Sequence, residues 1–510
     1  MAARRVAIIG AGASGLCALK CCLDEGLEPT CFERSGDIGG LWRFEERPEE
    51  GRASIYRSVI INTSKEMMCF SDFPIPEDFP NYMHNSKIME YFHMYAQHFD
   101  LLRHIRFGTS VCCVSKRPDF AATGQWEVVT ENEGKQEAAV FDAVLVCSGH
   151  HTDAHLPLSA FPGLEKFEGW YLHSRDYKSP QSFSGKQVVV VGTGNSGIDI
   201  AVELSHAAKQ VFLSTKRGTW VLHRLADGGY PFDFTYVSRF TQVLRSLLPQ
   251  STINFYLERK LNARFNHALY SLQPRILDQH PTINDDLPNR IISGRVIVKP
   301  NIQEFTETSA IFEDGTREDI DAVVFATGYS FSFPFLEKYV KVVENQISLY
   351  KFMFPPDLEK PTLAFIGLIQ PLGAIMPISE LQCRWATPGL PRHSKSQRHT
   401  IQVDYIPYMD ELACQVGVKP NLLTLFLTDP KLALEVAFGP CTPYQYRLRG
   451  PGEWAGAREA ILTQRQRVLR PLQTRAGDRP ARSSTVPHIF KVFFSIGLIV
   501  ATLVYVSLSP

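Results

Sequence analysis

The chain lacks a charge surplus of either sign. Lys+Arg and Asp+Glu both number 53 in 510 residues, for a net charge of zero. A general nucleic-acid or polyanion binder would carry a basic excess, so no nucleic acid is expected as a partner. The 11 cysteines show no framework spacing, no CxxC pair and no histidines at zinc spacing. That excludes a disulfide scaffold and a structural zinc module, and no metal is expected. Cys17, Cys21, Cys22, Cys31 and Cys147 sit in apolar runs and read as buried, reduced thiols on a reducing face such as the cytosol. A cleaved targeting segment is also missing, because Gly10 and Gly12 interrupt the first apolar run, which reads as a strand. At 44% hydrophobic and 21% charged, the composition excludes wholesale disorder.

Long apolar runs are absent with one exception. Residues 489–508 hold a single charge, Lys491, which can snorkel. Twenty residues at about 1.5 Å each match a hydrocarbon core of roughly 30 Å. Arg475, Arg479 and Arg482 precede the run, which places the body of the chain in the cytosol and predicts a single C-terminal anchor in a lipid bilayer.

An internal repeat organises the rest. RVAII runs into Gly10-Ala-Gly12-Ala-Ser-Gly15, then a helical stretch, then a strand ending at Glu33. QVVVV runs into Gly192-Thr-Gly194-Asn-Ser-Gly197, a helical stretch, and a strand ending in Ser214-Thr215-Lys216-Arg217. The strands FDAVLVCSG and IDAVVFATG echo one another at similar spacing. Two strand–glycine turn–helix–strand units predict an α/β chain with two Rossmann-like dinucleotide-binding domains. The first glycine permits the tight turn, the second lets backbone approach a pyrophosphate, and the third lets helix and strand pack closely.

The two second strands end differently. Glu33 can accept from ribose hydroxyls and would repel a 2′-phosphate, so the first unit should take FAD or NAD. Lys216 and Arg217, with Arg224 nearby, suit a 2′-phosphate, so the second should take NADP. One enzyme with two dinucleotides is most simply a flavoprotein fed by NADPH. A thiol–disulfide relay has no place here, since residues 35–44 contain no cysteine. The reading divides the chain into an FAD-binding domain (1–155 and 330–475) and an NADP-binding domain (156–213 and 296–329). A helical insertion (214–295), a linker (476–488) and the anchor (489–508) complete it.

Residues 167–177, FEGWYLHSRDY, match the FxGxxxHxxxY signature of the flavin-containing monooxygenases, the microsomal dimethylaniline N-oxide-forming family. GGLWRF, SVIINTSKEMMCFSDFP, SGHH, NDDLPNRI, FATGYSFSFPFLE and IGLIQPLGAIMP extend that resemblance over nearly the whole chain, tail included. It implies that NADPH reduces FAD and that a C4a-hydroperoxyflavin formed with O2 gives one oxygen atom to soft nitrogen or sulfur nucleophiles of small xenobiotics. Lipophilic amines and sulfides are the implied substrates, on the cytosolic face of the endoplasmic reticulum. Baeyer–Villiger oxygenation of ketones, NADPH oxidase activity and an inactive membrane-anchored paralogue stay open as alternatives, as does homo-oligomerisation.

The resemblance also assigns residues. Asn62 is the catalytic candidate, its amide able to donate at the flavin or to accept from NADP⁺. Gly10, Ala11, Gly12, Ala13, Ser14, Gly15, Glu33, Leu41, Trp42, Asn62 and Thr63 are the expected FAD contacts. Gly192, Gly194, Ser196, Gly197, Ile198 and Asp199 are the expected NADP contacts, with Lys216, Arg217 and Arg224 on its 2′-phosphate. His173 reads as structural in the linker between the two folds, with a part in domain movement as the alternative, and His150 and His151 read as hydrogen-bonded rather than metal-binding. One departure stands out: the family's helical stretch between RWAT (384–387) and SQRHTIQ (396–402) is replaced by the bridge PGLPRHSK.

Overall fold

The computed structural model describes residues 4–272, 281–388 and 401–475. The linker, the apolar tail and most of the bridge after Thr387 lie outside these residues. Among the described residues no helix is long and apolar enough to cross a membrane.

Ten strands and two helices carry the site. In chain order they are β1 (Arg5–Ile9), α1 (Ala13–Asp24), β2 (Glu28–Phe32), β3 (Ile105–Arg106), β4 (Ala143–Val146), β5 (Trp170–His173), β6 (Gln187–Val191), α2 (Asn195–Leu204), β7 (Gln210–Ser214), β8 (Val296–Lys299), β9 (Ala322–Phe325) and β10 (Leu363–Phe365). They form two parallel five-stranded sheets, ordered β10-β4-β1-β2-β3 and β8-β7-β6-β9-β5. In both, the strand before the glycine turn is central, flanked by the strand after the helix and by the DAV strand. β10 returns from far along the chain to pair with β4.

The pleat explains the unbroken apolar runs. Successive residues of a strand point to opposite faces, and both faces of a parallel sheet are covered. Val6 and Ile8 join one core cluster, while Ala7 and Ile9 join another. Val188 and Val190 divide from Val189 and Val191 in the same way. Before each DAV strand the chain makes a three-stranded antiparallel meander, at residues 110–141 and 302–319. The repeat therefore extends beyond the glycine motifs.

Further helices follow: α3 (Arg239–Leu247) and α4 (Gln250–Asn262) within residues 214–295, then α5 (Ile375–Ala386), α6 (Tyr405–Val416), α7 (Leu422–Thr428), α8 (Pro430–Phe438) and α9 (Ala457–Leu469). α5 is buried from Met376 to Ala386 and packs on α1, with the Cys17 and Cys383 sulfurs 3.6 Å apart. Its Glu380 carboxylate, 1% exposed, accepts from Arg447 at 2.6 Å and from the Ser71 amide and hydroxyl at 2.8 Å each. Arg447 also pairs with Asp72 at 2.9 Å, and Asp72 with Lys20 of α1 at 2.6 Å. This buried ionic node ties α1 and α5 to the C-terminal region. No disulfide forms among the described residues.

Candidate functional site

Each sheet carries a glycine cradle at the C-terminal end of its central strand. At the first, Gly10 has φ +98°, and a Cβ there would lie 2.9 Å from the Cys147 carbonyl oxygen. A Cβ on Gly15 would lie 1.9 Å from the Gly10 carbonyl oxygen, so only glycine lets α1 pack this tightly. The second cradle repeats the design: Gly192 has φ +109°, and a Cβ on Gly197 would lie 2.1 Å from the Gly192 carbonyl oxygen. The middle glycines differ in kind. A Cβ on Gly12 would meet only Gly40 backbone, at 3.6 Å, and one on Gly194 would meet nothing within 4 Å. These two positions are open to a ligand rather than closed by the protein. Neither α1 nor α2 has a side-chain cap or an acid in its first turn, so the first amides and the positive helix end are available to a pyrophosphate.

The strand ends separate the two cradles. Glu33, buried at the end of β2, accepts from the Ala11 amide at 2.8 Å and from the Ser35 amide at 2.9 Å. Its carboxylate thus holds the glycine turn, and its remaining lone pairs can accept from a ribose. Gly39 donates its N–H to the Ala11 carbonyl at 3.0 Å, which draws the turn bearing Leu41 and half-buried Trp42 onto the same cradle. Beyond β7, the Thr215 hydroxyl accepts from the Gly218 amide at 2.9 Å. That turn carries Lys216 and Arg217 with both side chains exposed. Ser196 is half-buried and Ile198 fully buried on α2.

Beyond the glycine turns, three predicted residues meet partners that the motifs did not announce. Asn62 and Thr63 are half-buried just ahead of the buried Ser64-Lys65-Glu66 turn. Asn62 Oδ1 accepts from Arg224 Nη2 at 2.7 Å, and Arg224 Nη1 donates to Asp285 Oδ2 at 3.1 Å. Arg224 is thus committed to the Asn62 side, an engagement different from the 2′-phosphate contact read from the sequence. Burial works against the Asp285 charge, but hydrogen bonds from His223 and Arg224 prevail and hold its carboxyl below the usual range. Asp199, read as an NADP contact, has both oxygens occupied: Tyr56 donates at 2.6 Å and the Asn284 amide at 2.8 Å. It ties α2 to Tyr56, in the segment between β2 and β3, and burial raises its pKa. Asp233, in the stretch Phe232–Tyr236, accepts from the Ser64 amide at 2.7 Å and seats the 214–295 region on the Asn62 loop.

Sequence reasoning missed Asp285, Asp233 and Tyr56. NDDLPNRI stands out as a run, but nothing local says that Asp285 faces Arg224. His173 donates from Nε2 to the Gly328 carbonyl at 3.0 Å and accepts at Nδ1 from the Arg175 amide at 3.1 Å. His150 and His151 meet edge to face, 4.3 Å between ring centres at an interplanar angle of 72°, and burial first, then His151, lowers the His150 pKa to about 3. Among the described residues no group of three or more His, Cys, Asp or Glu could hold a metal ion.

A family model described as "Flavin-binding monooxygenase-like" matches residues 3–392 and 389–507. Flavin-containing monooxygenase 5 of Oryctolagus cuniculus is 62% identical over 532 aligned positions, covering 99% of this chain and all of the relative. The chain belongs to the flavin-containing monooxygenases. Flavin-containing monooxygenase 5 of Homo sapiens is 61% identical with the same coverage. Dimethylaniline monooxygenase [N-oxide-forming] 2 of Cavia porcellus is 55% identical over 98% of both chains. The fold recurs in the solved S-allyl-L-cysteine S-oxygenase of Allium sativum, with a TM-score of 0.62 at 23% identity, covering 92% of this chain and 99% of that one. It recurs in cyclohexanone monooxygenase, with a TM-score of 0.57 at 17% identity, covering 76% and 87%. This flavin-containing monooxygenase is an oxidoreductase that uses FAD and NADPH. The family match divides at 389–392, and the 532 aligned positions exceed the 510 residues of the chain. The first places a break just after Thr387, and the second shows that the chain is shorter than this relative.

Proposed function

We propose that this flavin-containing monooxygenase oxygenates soft nitrogen and sulfur centres of small lipophilic molecules. The observation that carries the reading is the pair of cradles, one braced by Glu33 and one followed by exposed Lys216 and Arg217, together with an Asn62 amide held by Arg224. The relatives named for N-oxide formation support the amine class. FAD would sit on the Gly10–Gly15 turn with Glu33, Leu41, Trp42 and Thr63, and NADPH on Gly192, Gly194, Ser196, Gly197 and Ile198. Bound there, the flavin supplies oxygen activation with electrons from NADPH.

The protein's own part is binding, orientation and exclusion of water. The uncapped ends of α1 and α2 hold pyrophosphate charge. Glu33 accepts from ribose hydroxyls, and Lys216 and Arg217 select the 2′-phosphate. Asn62 presents amide N–H donors, the type of group that stabilises developing negative charge without a change in its own protonation. Trp42 and the seated 214–295 region keep water from the crevice. No nucleophile–base pair is required.

Attachment to the endoplasmic reticulum membrane by residues 489–508 is part of this proposal. It is supported by exposed Val243 and Leu247 on α3 and Leu423, Phe426 and Leu427 on α7, apolar side chains that a membrane surface would cover.

The test uses full-length protein in detergent or lipid. Flavin absorbance, NADPH consumption and oxygenated product are followed with N,N-dimethylaniline, a thioether and a ketone. Flavin uptake with N-oxide and sulfoxide formed in proportion to NADPH is expected, while product from the ketone alone would overturn the substrate class. Asn62→Ala should lower product per NADPH at least tenfold while NADPH still bleaches the flavin without oxygen.

A further inference from the structure

Asn62 and Arg224 are 162 residues apart in sequence and in direct contact in the fold. The Arg224 side chain is 16% exposed and is pinned on several sides. Nη1 donates to Asp285 Oδ2 at 3.1 Å, and its own backbone amide donates to Asp285 Oδ1 at 2.9 Å. The Tyr82 hydroxyl donates to the Arg224 carbonyl at 2.8 Å, with its ring 6.0 Å from the guanidinium. The free end of this clamped group, Nη2, donates to Asn62 Oδ1 at 2.7 Å.

The chemistry of the pair is one-directional. A guanidinium has only donors and stays charged at any working pH. It therefore accepts just one orientation of the Asn62 amide, oxygen inward. The flipped amide would set its NH2 against a donor. The Asn62 NH2 has no partner among the described residues, and Asn62 is half-buried. We propose that Arg224, clamped by Asp285, is a positioning residue that fixes the Asn62 amide with its NH2 facing the bound flavin and nicotinamide, and that it is not a 2′-phosphate ligand. This rests on the role proposed above for Asn62.

The experiment compares Arg224→Lys, Asp285→Asn, Asn62→Ala and the double variant Arg224→Lys/Asn62→Ala as flavin-loaded full chains. Three quantities are read with a thioether substrate: product per NADPH, hydrogen peroxide per NADPH, and the ratio of kcat/KM for NADPH to that for NADH. Lysine keeps the charge, but a single ammonium cannot span Asp285 and Asn62 in the same fork. Arg224→Lys should lower product per NADPH at least threefold, with a matching rise in peroxide and an NADPH:NADH ratio within twofold of the parent. Asp285→Asn should move the same readouts in the same direction by less, which serves also if Arg224→Lys takes up no flavin.

Because Arg224 acts through Asn62, the double variant should be no less coupled than Asn62→Ala alone, within twofold. A tenfold loss of NADPH preference with coupling intact would assign Arg224 to the 2′-phosphate and overturn the proposal. An additive loss in the double variant would also overturn it, leaving Asn62 its role. Full coupling in Asn62→Ala would remove the role of Asn62 itself, and the positioning claim with it.

Discussion

Single atoms decide which glycines are structural and which serve a ligand. A Cβ on Gly15 would overlap the Gly10 carbonyl at 1.9 Å, whereas one on Gly194 would meet nothing. Gly15→Ala should therefore forfeit FAD retention and soluble folding, seen as loss of flavin absorbance per protein. Gly194→Ala should keep both and raise the KM for NADPH about tenfold, because the space it fills belongs to the pyrophosphate. The exposed cations beyond β7 call for a separate measurement. Lys216→Ala and Arg217→Ala should each lower the NADPH:NADH preference about tenfold, the low end of one charge-assisted hydrogen bond at roughly 1.5 kcal/mol. Flavin content should not change, since neither residue lies in the first cradle. The glycine turns and the contrast between Glu33 and Lys216-Arg217 were legible because each sits within one stretch of about 30 residues. The Arg224 assignment was not. Its partners Asn62 and Asp285 lie 162 and 61 residues away, and only folding brings them together.

At the level of elements, α1 and α5 are joined through the buried node of Lys20, Asp72, Glu380 and Arg447. Burial alone would raise the Glu380 pKa, but Arg447, Arg384 and Lys20 prevail and hold it low. Glu380→Gln leaves Asp72 alone to balance both Arg447 and Lys20 in the buried node, and should cost about 3–5 kcal/mol at pH 6, measured by urea denaturation. The pH dependence has a definite sign. A carboxyl whose folded pKa is depressed contributes stability above its unfolded value of about 4.3 and loses it as pH falls through the folded value. The gap between parent and Glu380→Gln should therefore be full at pH 6 and narrow below about pH 4. A gap that widened on acidification would show that Glu380 is protonated in the fold. The helical character of α1 and α2 was readable from the sequence. The helical 330–475 stretch read only as Pro-rich and mixed, because α5 is buried on all sides and shows no polar face from which a period could be read.

For the molecule as a whole, both cradles lie before the shortened segment after Thr387 and rest on sheets that close without it. Restoring the relatives' residues between Thr387 and Ser396 should leave flavin per protein unchanged within about a fifth. The effect should fall on the KM for the oxygenated substrate, measured with a thioether series of increasing size. Loss of flavin on restoration would mean that this chain has repacked around its shorter form.

What the sequence determined by itself was the repeat: two strand–glycine–helix–strand units, one acid-ended and one base-ended. Positive-φ turns, helix ends and strand alternation are properties of contiguous backbone, so they can be read before anything packs. The tertiary structure alone decided how the two units meet. It set Arg224 on Asn62, Asp199 on Tyr56, Asp233 on the Ser64 amide and Glu380 on Arg447. Each is a polar group withdrawn from water, so each must find a complementary partner in space, and no local pattern records a partner 60 to 170 residues away.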